Sequence, residues 1–415
     1  MLLRILLATT LSLSAIVALA AEPVKIGLTV PTSGRYKEQG QAQSRGALLA
    51  VEQVNASGGI QGRPLELLIA NTAAKAERTQ QAVQELAAQG AAVIFGATSS
   101  EAALAAGAEA ARQNLPFIAV QGYDNSLTGA QAQRHFFRET YNAYMAAKAL
   151  AAYLNDGLQG KKLFYMTADY GWGHSVEESL RRFTGTADQN LHPGVTVTYP
   201  RPRYGDFEAA LQQAASSGAD VLILIQFGED MASALEMATR MGLKDKMTIV
   251  VPNLTLGMAR TAGAESMSGV IGAVPWYWQV PYQYDFPRGR KFVEDFVARF
   301  GDYPSSAAAS AYSVVFQLRD AARRAGSLTT ARLISALEGH SYSLLKGEQT
   351  WRALDHQNVQ SVFVVRGRSR EEIVKSPLHA DYFEILSELP AADAALPSDD
   401  WQALRKAAGK PETLQ

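Results

Sequence analysis

The stretch that decides the fold is AAVIFGATSSEAALAAGAEAARQNLPFIAV, residues 91–120. It opens on a short apolar run, AAVIF (91–95), and closes on another, PFIAV (116–120), each of strand length. Between them an alanine-rich segment, 100–113, carries apolar residues at helical spacing. Strand, helix and strand in so short a span describe a crossover between parallel neighbours, because antiparallel strands need no helix to join them. The joint between the first strand and the helix holds three hydroxyls in a row, Thr98, Ser99 and Ser100. One hydroxyl caps a helix; three exceed that need. In an open parallel sheet the helix after a strand points its first free N–H groups into the crevice where ligands sit. Two readings stand: a helix cap, and donors for a carboxylate or amide of a small ligand.

The same grammar extends outward. Upstream, VKIGLTV (24–30) and LELLIAN (65–71) read as strands, with helices over 41–54 and 77–89. The glycines of ASGG (56–59) stop the first of these helices. Downstream, a helix at 143–154 leads into strands KLFYMT (162–167), VTVTY (195–199), VLILIQ (221–226) and MTIVV (247–251). Helices at 176–183, 207–215 and 231–241 alternate with them. Strict alternation implies parallel sheets covered by helices on both faces. A third part mixes VIGAV (270–274), helices at 288–300, 305–325 and 329–338, and SVFVV (361–365). The expected fold is α/β, with two similar lobes joined by more than one crossover. From residue 376 the chain is less regular and reads as a surface strap or a mobile end.

Bulk composition narrows the class. A chain of 415 residues exceeds one compact core. It is 47% apolar and 19% charged with a net charge of −1, so no electrostatic argument favours nucleic acid or an anionic membrane as partner. The first twenty residues, MLLRILLATTLSLSAIVALA, carry one cation, Arg4, then an apolar run ending in Ala18-Leu19-Ala20. That is the pattern of a secretory leader cleaved after Ala20. There is no cysteine, which excludes disulfides and thiolate metal sites. Export without disulfides suits a bacterial periplasm. No later run reaches the ~18 apolar residues of a membrane span.

Enzymatic motifs are missing. Gly171-Trp172-Gly173-His174-Ser175 holds the letters of a nucleophile elbow in the wrong order, and no phosphate-cradling glycine loop follows a strand. The six histidines form no HExxH or i,i+4 pair. His174 with Glu177 and Glu178 reads as a solvated helix start, and Asp355-His356 as a structural turn. No enzyme activity, metal or cofactor is expected.

PTSG (31–34), QSRGALLAVEQVNASGGIQGRPLEL (43–67), GATSSEAALAAGAEAARQNLPFI (96–118), HFFRET (135–140), DYGWG (169–173), GDFEAALQQAASSGADVLIL (205–224), EMATRMGL (236–243) and YPSSAAASAYSVVFQLRDAARRAG (303–326) follow one another in an order that resembles the type I periplasmic binding proteins of the hydrophobic amino acid/amide class. These are the leucine/isoleucine/valine-binding-like receptors of ABC importers. The resemblance implies two lobes, 24–141 with 276–342 and 142–275 with 343–375, joined by three crossovers, and a tail at 376–415. It implies a ligand cleft between the lobes, a permease in the inner membrane as partner, and a monomer. Ser99 resembles the family's carboxylate-binding hydroxyl, with Thr98 and Ser100 beside it. Gln121 and Tyr123 stand where small residues and a threonine complete that clamp. Tyr170 and Phe227 match aromatics of the second lobe. Asn253, in PNLTLG (252–257), falls where amino-acid receptors carry an acid for the ligand's ammonium. That missing charge argues against an ordinary α-amino acid, because a buried ammonium needs a partner. Trp276 opens an aromatic run, PWYWQVPYQYDF (275–286), of which one or two rings are expected in the pocket. A periplasmic sensor feeding a signalling receptor is an alternative role, and a hydrolase on the same scaffold a remote one.

Overall fold

The computed structural model describes residues 21–414. The leader expected at 1–20 lies outside the described residues. The first sheet is built from β1 (Val24–Val30), β2 (Leu65–Asn71), β3 (Val93–Gly96), β4 (Phe117–Ala119) and β5 (Phe136–Arg138). Helices α1 (Lys37–Ala56), α2 (Ala76–Ala88) and α3 (Ser100–Arg112) connect the first four. All five strands are parallel, in the order β2-β1-β3-β4-β5.

The chain then leaves this sheet. Helix α4 (Ala143–Leu158) leads to β6 (Leu163–Ala168), α5 (Gly171–Thr184), β7 (Gly194–Val197), α6 (Tyr204–Ser216) and β8 (Val221–Ile225). Helix α7 (Glu229–Arg240), β9 (Thr248–Val251), α8 (Leu256–Ala262), α9 (Ala264–Met267) and β10 (Ile271–Val274) complete the second unit. Its parallel strands run β7-β6-β8-β9-β10, the same succession as in the first sheet. Every residue of β8 is buried, because helices cover both faces of this central strand.

A second crossing returns the chain to the first sheet through α10 (Val280–Gln283), α11 (Pro287–Phe300), α12 (Ser306–Ala325) and α13 (Thr330–Leu337). Helix α12 lies along α1 so closely that a Cβ on Gly46 would overlap the Ala308 backbone. A small antiparallel sheet of β11 (Ser341–Tyr342), β12 (Gln349–Trp351) and β13 (Asn358–Val359) carries the third crossing. The second sheet then gains β14 (Val362–Gly367), followed by α14 (Arg370–Lys375) and β15 (Phe383–Leu389); helices α15 (Ala391–Ala394) and α16 (Ser398–Ala407) end the chain.

Two features depart from the sequence reading. Strand β14 joins the second sheet antiparallel to β10, and β15 pairs antiparallel with β14, so the edge strand runs in the direction of the parallel set again. The segment after 376 is also more regular than expected. It contributes the edge strand β15, and the fully buried Trp401 donates its indole N–H to the Thr128 carbonyl at 2.7 Å. Arg405 donates to the carbonyls of Gly129, Ala130 and Ala132. The tail is a strap fastened to the loop between β4 and β5.

One buried network joins the three crossings. Lys346 donates to the Pro275 carbonyl at 2.6 Å and to Gln360 Oε1 at 2.5 Å, and Gln360 donates to the Glu139 carbonyl. Burial pushes the Lys346 ammonium down to about 8.

Candidate ligand site

In a doubly wound sheet the crevice opens where the strand succession reverses, outside the carboxyl ends of the strands. In the first sheet that point lies between β1 and β3, so the loops concerned are 31–36 and 97–99. In the second it lies between β6 and β8, at Asp169–Tyr170 and Gln226–Gly228. The two crevices meet. The Phe227 ring lies 6.0 Å from Tyr36 and 5.7 Å from Tyr123, both on the first lobe, and 5.9 Å from Trp172 on its own. Arg35 pairs with Asp230 across the gap at 2.5 Å.

The three hydroxyls divide their work. Ser99 is the N-cap of α3, its Oγ accepting from Ala102 N–H at 3.2 Å. Ser100 Oγ accepts from the backbone N–H groups of Tyr123 at 3.2 Å and Asp124 at 3.1 Å, bracing the next loop. Thr98 is buried, and its Oγ1 has no hydrogen-bond partner. Ser99 therefore serves as a cap, with its O–H still free to donate, and Thr98 is the hydroxyl of the three with no partner in the protein.

The structure brings Gln121 and Tyr123 into contact. Gln121 donates to the Tyr123 hydroxyl at 3.2 Å and accepts from Gln43 Nε2 at 3.0 Å; Gln43 also donates to the Ala97 carbonyl at 2.7 Å. The Tyr123 ring packs on Tyr141, whose hydroxyl donates to the Ala273 carbonyl and accepts from Asn253 Nδ2 at 2.8 Å. Burial raises the Tyr123 hydroxyl well above the ordinary phenol range, so it stays a neutral donor or acceptor. Tyr170 precedes α5, half-buried, stacked on Tyr199 at 3.9 Å and tilted against Trp172 at 5.6 Å. Trp276 is placed differently. Its indole donates to the Leu345 carbonyl at 3.3 Å and packs edge-on against Phe292 of α11. Trp278 stacks on Tyr303, and the Tyr277 hydroxyl meets Ala380 and Asp381. The contacts of these three rings tie the second crossing to its neighbours; none is to the hydroxyl cluster.

Polar atoms without partners gather around this set. Gln39 Oε1, Gln43 Oε1, Thr98 Oγ1, Asn253 Oδ1 and Trp172 Nε1 are buried and unbonded, although buried polar groups are ordinarily paired. Gln39 stands one helical turn before Gln43 on α1, so both face the cluster. Tyr36, Gln39, Gln43 and Tyr141 were not singled out from sequence. The available signal was position: Tyr36 directly follows the turn after β1, at the switch point.

The charges at the rim are internally answered. Burial pushes Asp230 up to about 6 even though Arg35 pulls it down. Glu38, on the first turn of α1, reaches across to α8, and a Cβ on Gly257 would overlap its carboxylate. Burial raises Glu38 to about 7, against the pull of Arg260. Asp124 reaches the start of α5, where Ser175 donates to it at 3.0 Å. Arg138, fully buried, holds the 122–128 loop by donating to the carbonyls of Gly122 and Asp124 and to Thr128 Oγ1. His174 pairs with Asp169 at 3.0 Å rather than with a glutamate, and His356 is stacked on Phe137 at 3.8 Å, fully buried. Among the described residues no group of three or more acidic or histidine side chains could hold a metal.

The described residues contain no helix long and apolar enough to cross a membrane. Comparison with known proteins gives a consistent result. The profile described as "Periplasmic binding protein" matches residues 23–372. The Leu/Ile/Val-binding protein homolog 7 of Brucella melitensis biotype 1 is 25% identical over 322 residues, covering 71% of this chain and 76% of its own. Homolog 4 of the same organism is 23% identical over 383 residues, covering 88% and 89%. The structure of an amino acid ABC transporter substrate-binding protein from Pseudomonas fluorescens Pf-5 superposes with a TM-score of 0.82 at 27% identity, covering 93% of this chain and 99% of that one. With its two parallel lobes, its three crossings and a profile match over most of its length, the chain belongs to the periplasmic binding proteins of type I, in the hydrophobic amino acid family.

Proposed function

We propose that the protein is the substrate-binding component of an ABC-type importer, capturing a small polar organic ligand between its lobes and delivering it to a permease in the inner membrane. The observation that carries this reading is the meeting of the two switch-point crevices around Phe227, Tyr36 and Tyr123, with unpartnered polar atoms from both lobes beside it. Ligand that touches both lobes stabilises the closed arrangement, and only its differential affinity for that arrangement drives closing. Thr98 supplies a hydroxyl from the first lobe, Trp172 an indole N–H and Asn253 an amide from the second. Ser99, Ser100, Gln121 and Tyr123 shape the first-lobe wall, and Tyr170 and Phe227 the second-lobe wall. Asn253 is neutral, so the site offers an amino acid's ammonium no paired charge there. The ligand is a small molecule with an amide or carboxylate, or an aromatic ring bearing one, rather than leucine, isoleucine or valine. The leader at 1–20 takes the chain to the periplasm, where it acts as a monomer.

A thermal-shift screen over amino acids, amides, urea, aromatic carboxylates and small diols, followed by calorimetry, tests this. A true ligand at one hundred times its dissociation constant adds about 2.7 kcal/mol of stability. At least one class other than the branched-chain amino acids should do so. Micromolar binding of leucine, or no shift with any class, would overturn the reading.

A further inference from the structure

The end of α12 remote from the cleft carries a charge imbalance that the ligand site does not use. Arg288, Arg319, Arg323 and Arg324 converge there on one carboxylate, Asp320. Asp320 is already engaged: Arg323 donates to its Oδ1 at 2.6 Å, Arg324 to its Oδ2, and His340 lies 3.3 Å away. Arg288 reaches only the Ser343 carbonyl, at 3.4 Å. Among the described residues Arg319 has neither a hydrogen-bond nor an ion-pair partner; its guanidinium rests 4.8 Å from the Phe316 ring centroid. Burial, then the neighbouring Arg323, lowers its affinity for its proton. Four guanidinium groups share one carboxylate, so their mutual repulsion is only partly answered, and half-burial strengthens what remains.

Arg288, Arg319, Asp320 and Arg323 line a cavity of about 200 Å³ between α12 and residues 342–344. Arg319 also lines two neighbouring grooves, one beside α1 and α11 and one beside residues 57–61, so it stands where three depressions meet. The cavity wall includes Gln317, which is buried and whose Oε1 has no partner. Guanidinium forks match tetrahedral oxyanions bidentately. A phosphate carrying one proton also has an O–H to donate, which is what an unpaired amide oxygen requires. A carboxylate has none.

We propose that this pocket binds a free phosphate-type oxyanion, with Arg319 as its central contact, Arg288 and Arg323 flanking it, and Gln317 accepting from the protonated oxygen. The site is separate from the cleft. Residues 57–61 follow the end of α1 that leads to the amino ends of the strands, whereas the hydroxyl cluster sits at their carboxyl ends. The small volume suits one free anion rather than a protein segment.

The test uses the mature chain at low ionic strength, titrated calorimetrically with sodium phosphate and, separately, with sodium chloride at matched ionic strength. Phosphate should bind saturably with one site per chain. Arg319→Gln should weaken it at least tenfold, and Thr98→Val, in the cleft, should leave it unchanged. Equal responses to phosphate and chloride, or an Arg319→Gln protein that binds as the native one does, would overturn the proposal. So would binding of an aspartate-rich peptide without binding of phosphate, which would make the patch a protein-docking surface. Circular dichroism of Arg319→Gln checks that it is folded, and Arg319→Lys, which keeps the charge but loses the fork, should fall between the two.

Discussion

Replacing Thr98 by valine keeps the branched shape and removes only a hydroxyl that has no partner in the protein. Such a change costs the fold little, because no hydrogen bond is broken and a buried unpaired group is removed. Binding should suffer instead. The loss of one neutral hydrogen bond, about 0.5–1.5 kcal/mol, corresponds to roughly a three- to tenfold weaker dissociation constant. Ser99→Ala removes the cap that accepts from Ala102 and should lower stability by about 1 kcal/mol, which Thr98→Val should not. Calorimetry and thermal melts on both variants separate the roles, and an exchange of the two phenotypes would refute the assignment. From sequence the three hydroxyls were legible as a group at a strand-to-helix joint. Their division of labour was not, because it depends on where the loop at 121–124 comes to rest against Ser100, a contact between segments more than twenty residues apart.

At the scale of elements, three helices of the second lobe begin close to glycines that face first-lobe side chains. A Cβ on Gly171 of α5 would overlap Asp124, one on Gly228 before α7 would press on the Tyr36 ring, and one on Gly257 of α8 would overlap Glu38. Gly228 also has φ +62°, a conformation other residues rarely adopt. A helix amino end is favourable for a carboxylate, so Asp124 helps hold the lobes together at α5. Glu38 and Asp230 bring a pH dependence. The groups around Glu38 are Arg260, Asp302 and Arg45; those around Asp230 are Arg35 and Glu229. In the closed arrangement Glu38 is raised from 4.5 to about 7 and Asp230 from 3.8 to about 6, burial being the first cause for both. Each then holds a proton that the solvated, open form has released. Closure is therefore strongest below the free values and weakens as pH rises through about 7. Both side chains are partly solvated, which screens the effect, so affinity should fall by roughly three- to tenfold between pH 5 and pH 7.5. Glu38→Gln should flatten most of that slope in calorimetric titrations, and an affinity that rises with pH would refute it. Elements with a strong repeating pattern were legible: β1 and β2 lie at the expected residues. Strands β5, β12 and β13 are two or three residues long and carry no readable period. Strand β15 is a mostly half-buried edge, and its mixed sequence FEILSEL hid it in the tail.

For the molecule as a whole, alternation of strand and helix announced two lobes, and the identical strand succession in both sheets explains why their crevices can face one another. The site was legible in part for the same reason. Tyr170 and Phe227 directly follow β6 and β8, and Thr98 follows β3, so switch-point logic reaches them from sequence. Trp276 follows β10, which is not at the reversal, and its ring turns to α11 instead. Gln39 and Gln43 lie within a helix, where only the packed arrangement shows which face looks into the cleft. The three connections between the two sheets share the Lys346 network, which is where the proposed closing would hinge.

The central claim is that ligand draws the two switch points together, and the inter-lobe distance measures it most directly. The chain has no cysteine, so spin labels can be placed without removing any native thiol. Gln81→Cys on α2 and Gln212→Cys on α6 put one label on the exposed face of each lobe. Pulsed dipolar spectroscopy should give a broad or longer distance distribution without ligand. With the compound identified by the calorimetric screen at saturation, it should give a single shorter distance, matching the arrangement in which Phe227 lies against Tyr36 and Tyr123. A distribution that stays the same while calorimetry on the same labelled sample shows full occupancy would contradict the account.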